Sequence, residues 1–432
     1  MNSDHQIRLR GILGLLGFRR IRGARSSSTW LATLAVVALF AGFCPAQDLA
    51  VRARRLHVVS GPTIDDGVVI IQKGKIIAVG PAADMTIPPG MKVIEAAVAT
   101  PGLIDAHTVV GLAGYLNQPQ DQDQVDVAGP IQPELRAIDA YNARERLIEW
   151  VRGFGVTTIH TGHGPLALVS GQTMITKTRG DSVEQAVIVP RAMMAATLGT
   201  AGRATDKKSP GTAAKQSAML REALIGADEY RRKIAEAGTD AAKLPARDLR
   251  KEALVEVLEK RVPLLVTAQR HQDILSALRL AKEFGFRLVL DGAAEAHAAL
   301  VEIKEAGVPV IAHAPMARFE SEMRNASRTT PKKLLDAGIP FALQSGYEAY
   351  VPKTRVVLYE AGIAAAYGLG ADMALKSVTL DAAKILGVDA RTGSLEIGKD
   401  GDLALYDGDP FEYTSHCLGA VIEGVVWTSG PR

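Results

Sequence analysis

The chain has 432 residues, 47% of them hydrophobic and 22% charged, which excludes a disordered protein and leaves room for one large domain or two smaller ones. Its formal charge is +3, yet Arg8, Arg10, Arg19, Arg20, Arg22 and Arg25 against Asp4 place +5 in the opening segment, so the rest of the chain carries −2. That balance excludes the basic footprint of a nucleic-acid-binding protein.

The basic opening leads into an apolar run over residues 30–43, shorter than the roughly 18 residues of a membrane-spanning helix, and then into Cys44-Pro45-Ala46. This layout predicts an export signal over residues 1–46, cut after Ala46, with an uncleaved anchor as the alternative. The expected location is periplasmic or extracellular in a bacterial-type cell, with no membrane attachment once the signal is gone. Cys417 is then the one remaining cysteine, so no internal disulfide is expected.

Residues 47–99 read as short strands at 54–59, 67–71 and 75–79, with Asp66-Gly67 and Lys73-Gly74 as hairpin turns. Residues 394–432 repeat this texture, with strands at 402–406, 420–422 and 425–427 and a turn at Glu423-Gly424. The two ends together predict a small composite β-sandwich domain. Between them, residues 100–393 alternate apolar strand-like runs with helical stretches, the pattern of a parallel sheet with crossover helices. Strands at 102–104, 156–159, 263–266, 287–290, 308–311 and 339–343, joined by 174–175 and 186–189, give the eight of a (β/α)8 TIM-type barrel. At about residues 205–261 the pattern turns to long helices, with Leu220, Leu224, Ala227, Tyr230 and Ile234 three or four residues apart, and reads as a helical insertion after the fourth strand.

Thr100-Pro-Gly-Leu-Ile-Asp-Ala-His107, at the start of the barrel, resembles the opening strand of the amidohydrolase superfamily. Ala382-Ala-Lys-Ile-Leu-Gly387, followed by Gly393-Ser-Leu-Glu-Ile-Gly-Lys-Asp-Gly-Asp-Leu403, resembles that family's return into its β-domain. Gln132-Pro-Glu-Leu-Arg-Ala-Ile-Asp139, Ser170-Gly-Gln172 with Lys177, and Gln272-Asp-Ile-Leu-Ser-Ala-Leu278 resemble the imidazolonepropionase-like branch. The resemblance implies hydrolysis of non-peptide C–N bonds by one or two divalent ions, zinc or another, which turn water into hydroxide at the carboxyl ends of the strands.

The ligand positions that this resemblance implies are mostly filled by other residues. His107 stands at the first, but the second is Val109, the strand-five position Thr267, the strand-six position Gly292 and the strand-eight position Gly346. Valine and glycine offer no donor, and a neutral threonine hydroxyl is a poor one. A rebuilt site would draw on His160, His163 and His313, which follow predicted strands. A metal-free acid/base pair would draw on Asp291, Glu295 and His297. Lys177, which resembles a lysine of this branch, reads as a plain ion-pair partner. Two functions stay open: a hydrolase of amides or cyclic amides, or an inactive homologue acting as a binding or partner subunit. The partners expected are a small-molecule substrate or ligand and, in the second case, another copy of the chain or an intact homologue. No cofactor is expected unless the family chemistry survives, when zinc or another divalent ion would be needed.

Overall fold

The computed structural model describes residues 47–204, 208–348 and 356–428. The segment expected to be an export signal lies outside them. Among the described residues no helix is long and apolar enough to cross a membrane, and the Cys417 thiol is buried and outside any disulfide.

The leading strands are β1 (Leu49–Leu56), β2 (Ile64–Gln72), β3 (Lys75–Pro81) and β4 (Lys92–Pro101). Lys73-Gly74 makes the β2–β3 hairpin with both residues at positive φ, the conformation such a two-residue turn requires. Asp66-Gly67, expected as a second turn, instead lies inside β2. A Cβ at Gly67 would sit 2.6 Å from Leu56 of the adjacent strand, so the glycine serves close strand approach. Asp66 meanwhile takes a bidentate bond from Arg52, at 2.7 Å from both Nε and Nη2.

Next come β5 (Leu103–Thr108), β6 (Val156–Thr161), β7 (Val169–Gln172), β8 (Met174–Lys177), β9 (Val187–Val189) and β10 (Met194–Thr197), then the helices Ala213–Ala237 and Leu249–Leu258, which form the expected insertion. The series continues with β11 (Leu264–Thr267), β12 (Leu288–Gly292), β13 (Val310–Ala312) and β14 (Phe341–Leu343), and ends with β15 (Leu403–Tyr406), β16 (Cys417–Ile422) and β17 (Val425–Thr428). Both chain ends do contribute to one sheet, in the order β17-β16-β15-β4-β1-β2-β3. It is hydrogen-bonded as a single seven-stranded sheet, where a sandwich was expected.

The middle strands form a six-stranded sheet, β14-β13-β12-β11-β10-β7, and a four-stranded one, β5-β6-β8-β9. Pairing is parallel from β10 through β14 and between β5 and β6. The ladder does not run unbroken around a closed barrel, although an isolated parallel bridge joins Thr108 to Gly346 at the β5–β14 seam. Two expected barrel strands are corrected. β8 pairs antiparallel with β6, and β9 antiparallel with β8. The parallel strand in their place is β10, Met194-Ala-Ala-Thr197, whose methionine and two alanines give little strand signal.

The parallel strands stack side chains in layers, because side chains alternate with period two. Leu265, Val289, Ile311 and Ala342, one from each of β11 to β14, pack into a cluster closed by Ala382, Ala383 and Leu386. Two residues further along each strand come Thr267, Asp291, His313 and Gln344, all buried. An apolar layer therefore supports a polar one at the carboxyl ends, where barrel enzymes keep their chemistry.

Candidate functional site

Asp291 is the hub of the polar layer, with no solvent exposure. Its Oδ1 lies 2.8 Å from His107 Nδ1 and accepts from Gln344 Nε2 at 2.9 Å, while its Oδ2 accepts from Thr267 Oγ1 at 2.5 Å. Burial opposes the charged imidazolium of His107, but the charge and hydrogen bond of Asp291 outweigh it and raise the pKa above the ordinary value. Burial likewise opposes the Asp291 carboxylate, yet the His107 charge and three side-chain hydrogen bonds hold its pKa below the usual range. The result is a buried ion pair. Beside it, Asp105 accepts from the Ser345 amide at 3.0 Å and from its hydroxyl, fastening β5 to the segment after β14. Burial pushes the Asp105 pKa up to about 6 against those bonds.

Layering moves the strand-six position from Gly292 to Asp291, whose side chain is the one facing His107. Gly292 leaves the strand at φ +70°, and a Cβ there would fall 2.5 Å from Gln269 Nε2. Gly292→Ala is therefore expected to destabilise the fold by about 1–3 kcal/mol through backbone strain and crowding, read as a lower urea midpoint. Gly346 stands one layer above Gln344, and Val109 is wholly buried in the turn after β5.

Of the histidines expected for a rebuilt site, His160 lies against His107, with ring centroids 5.6 Å apart. His160 is locked, its Nδ1 donating to the Ala106 carbonyl at 2.7 Å and its Nε2 accepting from Thr173 Oγ1 at 2.6 Å. Burial, with the His107 charge added, lowers its pKa to about 3, so it stays neutral. His163 is buried with neither ring nitrogen hydrogen-bonded among the described residues, and a Cβ at Gly171 would fall 2.6 Å from its ring. His313 donates Nδ1 to the Ala314 carbonyl at 3.1 Å. Glu295 and His297 serve other ends: Glu295 accepts from the His271 amide and from Asn325, and His297 faces Thr330.

Lys177 is absent from this layer. It lies opposite Thr158 in the β6–β8 register, nearer the amino end of β6 than His160. There it pairs with Asp402 and, at 3.3 Å, with Asp400, as the ion-pair reading expected.

Two connected hollows mark the mouth. The outer one, about 200 Å³, is lined among others by Thr197, Thr267, Gln269, Glu322 and Met323. The inner one, about 10 Å³, reaches His313 and Gln344. A further cavity, about 880 Å³, lies at the opposite, amino end of β11–β13 around Pro263, Arg287 and Pro309, away from every polar group described above. Gln269, Gln344, Ser345 and Tyr347 carry the site without having been singled out from sequence. Counting two residues on from each strand's apolar centre finds Gln344, and no comparable signal marks the other three.

Residues 98–426 match the amidohydrolase family. The chain belongs to that family. It is 26% identical over 380 residues to an imidazolonepropionase of Mesorhizobium japonicum, spanning 80% of this chain and 87% of that one. A second imidazolonepropionase, from Sphingopyxis alaskensis, is 25% identical over 389 residues, with coverage of 81% and 88%. Among solved structures, an amidohydrolase of Thermotoga maritima superposes with a TM-score of 0.83 at 27% identity, over 88% of this chain and 99% of that one. These likenesses place the chain in the imidazolonepropionase-like branch and imply a TIM-barrel-like fold.

Amidohydrolases generally work with a divalent metal such as zinc or iron, and the donors present here do not fit one. A catalytic zinc takes three protein ligands and an open position. This layer holds His107 and Asp291, which are bonded to each other, and His313, whose Nδ1 is taken by the Ala314 carbonyl. Among the described residues no group of three or more His, Cys, Asp or Glu is arranged to hold a metal ion.

Proposed function

We propose that this chain is a metal-free amidohydrolase homologue that does not hydrolyse C–N bonds and acts as a binding or partner protein through its barrel mouth. One observation carries the reading: both oxygens of Asp291 are engaged by His107, Thr267 and Gln344, so the residues at the ligand positions bond one another. Without an ion to generate hydroxide, His107 and Asp291 cannot perform the family's hydrolysis. The proposal includes export through residues 1–46, and assembly with a second copy or with a homologue that keeps its metal ligands.

Elemental analysis of the purified full chain tests it. Protein from zinc-supplemented cells is expected to hold no stoichiometric zinc, iron or manganese, and its thermal midpoint is expected to be unchanged by EDTA. One equivalent of metal per chain, lost in His107→Ala, would overturn the proposal and restore the hydrolase reading.

A further inference from the structure

The inner hollow of the barrel mouth has room for about one non-hydrogen atom, and His313, Gln344, Gly292 and Gly346 are among the residues that line it. Two atoms on those side chains, Gln344 Oε1 and His313 Nε2, are buried without a hydrogen-bond partner among the described residues. The residues themselves are only 1% and 2% exposed, so bulk water does not serve them.

The other end of each side chain fixes what these atoms can do. Gln344 donates through Nε2 to Asp291 Oδ1 at 2.9 Å and to the Ile311 carbonyl at 3.1 Å, which leaves Oε1 as an acceptor. His313 donates through Nδ1 to the Ala314 carbonyl, and burial lowers its pKa, so the neutral ring presents a lone pair at Nε2. The Ser327 carbonyl, which also acts on this ring, adds an acceptor and no donor. Acceptors cannot satisfy one another, and a buried one left open is costly. The inner hollow therefore favours a group of one heavy atom that donates at least twice. His107 lines neither hollow, so its open Nε2 is not part of this demand.

The outer hollow decides between a neutral donor and a charged one. Its wall carries the carboxylates of Glu320, Glu322 and Glu348 against the guanidinium of Arg318, a balance of −2. Arg270, 3.6 Å from Glu322, is matched by Asp273 at 2.7 Å and leaves that balance unchanged. Such a field draws a cation inward, and a charged donor makes the stronger hydrogen bonds once there.

Resting on the reading of the mouth as a binding site, we propose that it binds a small primary aliphatic amine as its ammonium ion, head in the inner hollow on Gln344 Oε1 and His313 Nε2, carbon chain in the outer one. Leu198, Ala201 and Met323 give that chain an apolar wall. An ammonium head is about the size of a water and fits the inner hollow, whereas a quaternary head carries three methyls and does not. Tyr347 keeps its bond to Gln269 throughout.

Calorimetric titration of the full chain at about pH 7.5 with n-butylamine, 1-butanol and trimethylbutylammonium tests this. Butylamine is expected to bind at least about tenfold more tightly than either of the others, because the alcohol lacks the charge and the quaternary ion lacks the donors. His313→Leu removes one acceptor and is expected to weaken butylamine by about tenfold. Glu320→Gln, on an exposed side chain, is expected to weaken it by about twofold through the field alone. Equal affinity for butylamine and 1-butanol, or no binding of either, would mean that a water suffices and would reject the proposal. Equal affinity for the quaternary ion would reject it as well, since charge would then act without the inner acceptors. Should His313→Leu not fold by circular dichroism, the ranking of the three probes on wild type and the Glu320→Gln shift still decide. Metal analysis of the same samples separates the two claims. Stoichiometric metal defeats the metal-free reading, whereas metal-free protein without the butylamine preference defeats this inference alone.

Discussion

Asp291→Ala is expected to destabilise the folded chain by about 3–5 kcal/mol, the range for stripping one partner from a buried ion pair, read as a large fall in the urea midpoint. The carboxylate is wholly buried and meets His107, Thr267 and Gln344 at once, so its removal leaves a buried imidazolium with no counter-charge and two donors with no acceptor. Asp291→Asn separates these contributions. It keeps the volume and an acceptor for Thr267 or Gln344 while removing the charge, and its loss is expected to be about half that of the alanine variant. If alanine cost no more than a surface substitution, the cluster would not be the structural centre described here.

The same variant has a pH dependence of definite sign. His107 has a folded pKa above its unfolded value, so in wild type its contribution is fully present below pH 6.5 and fades as pH rises through the folded pKa. Asp291 has a folded pKa below 3.8, so its contribution is present above that value and is lost only as strong acid protonates it. Between pH 5 and pH 6 both contributions are in force. In Asp291→Ala the burial that opposes the imidazolium has only the weaker Asp105 charge against it, so protonation of His107 then favours unfolding. The gap between wild type and variant should therefore be wider at pH 5.5 than at pH 8. A gap that narrows toward acid would mean His107 is neutral in the wild-type fold.

Much of this arrangement was legible from the residues. Thr100 to His107 marked the opening strand, the turns at Lys73-Gly74 and Glu423-Gly424 stand where their glycines put them, and the expected insertion carries the helices Ala213–Ala237 and Leu249–Leu258. What sequence obscured has physical causes. Met194–Thr197 is a buried parallel strand built from alanine and methionine, whose order comes from the neighbours on both sides rather than from its own propensity. Val187–Val189 has the propensity but sits at a sheet edge, where an apolar run is equally at home. The site itself was half visible. The missing ligands could be read one by one, but that Asp291 joins His107 depends on contact between residues 184 positions apart. Gly292 was taken for the ligand position because a motif reads along the chain, whereas a layer reads across strands.

Lys177→Met is the second large effect, expected at about 3–5 kcal/mol of lost stability, and its cause lies at the other end of the strands. Lys177 has no solvent exposure and bridges β8 to Asp400 and Asp402, the residues that lead into β15. The two carboxylates are not equally dependent on it. Asp400 keeps Lys75 at 2.6 Å and Arg391 at 3.1 Å, whereas Asp402 retains only the Thr392 hydroxyl at 2.8 Å and the Glu423 amide at 3.0 Å. Most of the loss should therefore come from Asp402 left as a buried, unpaired anion. It follows that adding Asp402→Asn to Lys177→Met should recover more stability than adding Asp400→Asn, because an uncharged amide can still accept from the Glu423 amide through its oxygen and turn its NH2 to the Thr392 hydroxyl. Urea unfolding of the three variants measures this ordering. Equal recovery from the two asparagines would show that the lysine serves both carboxylates alike. Greater recovery at Asp400 would mean that Lys75 and Arg391, both partly exposed, are screened too well by solvent to hold its charge.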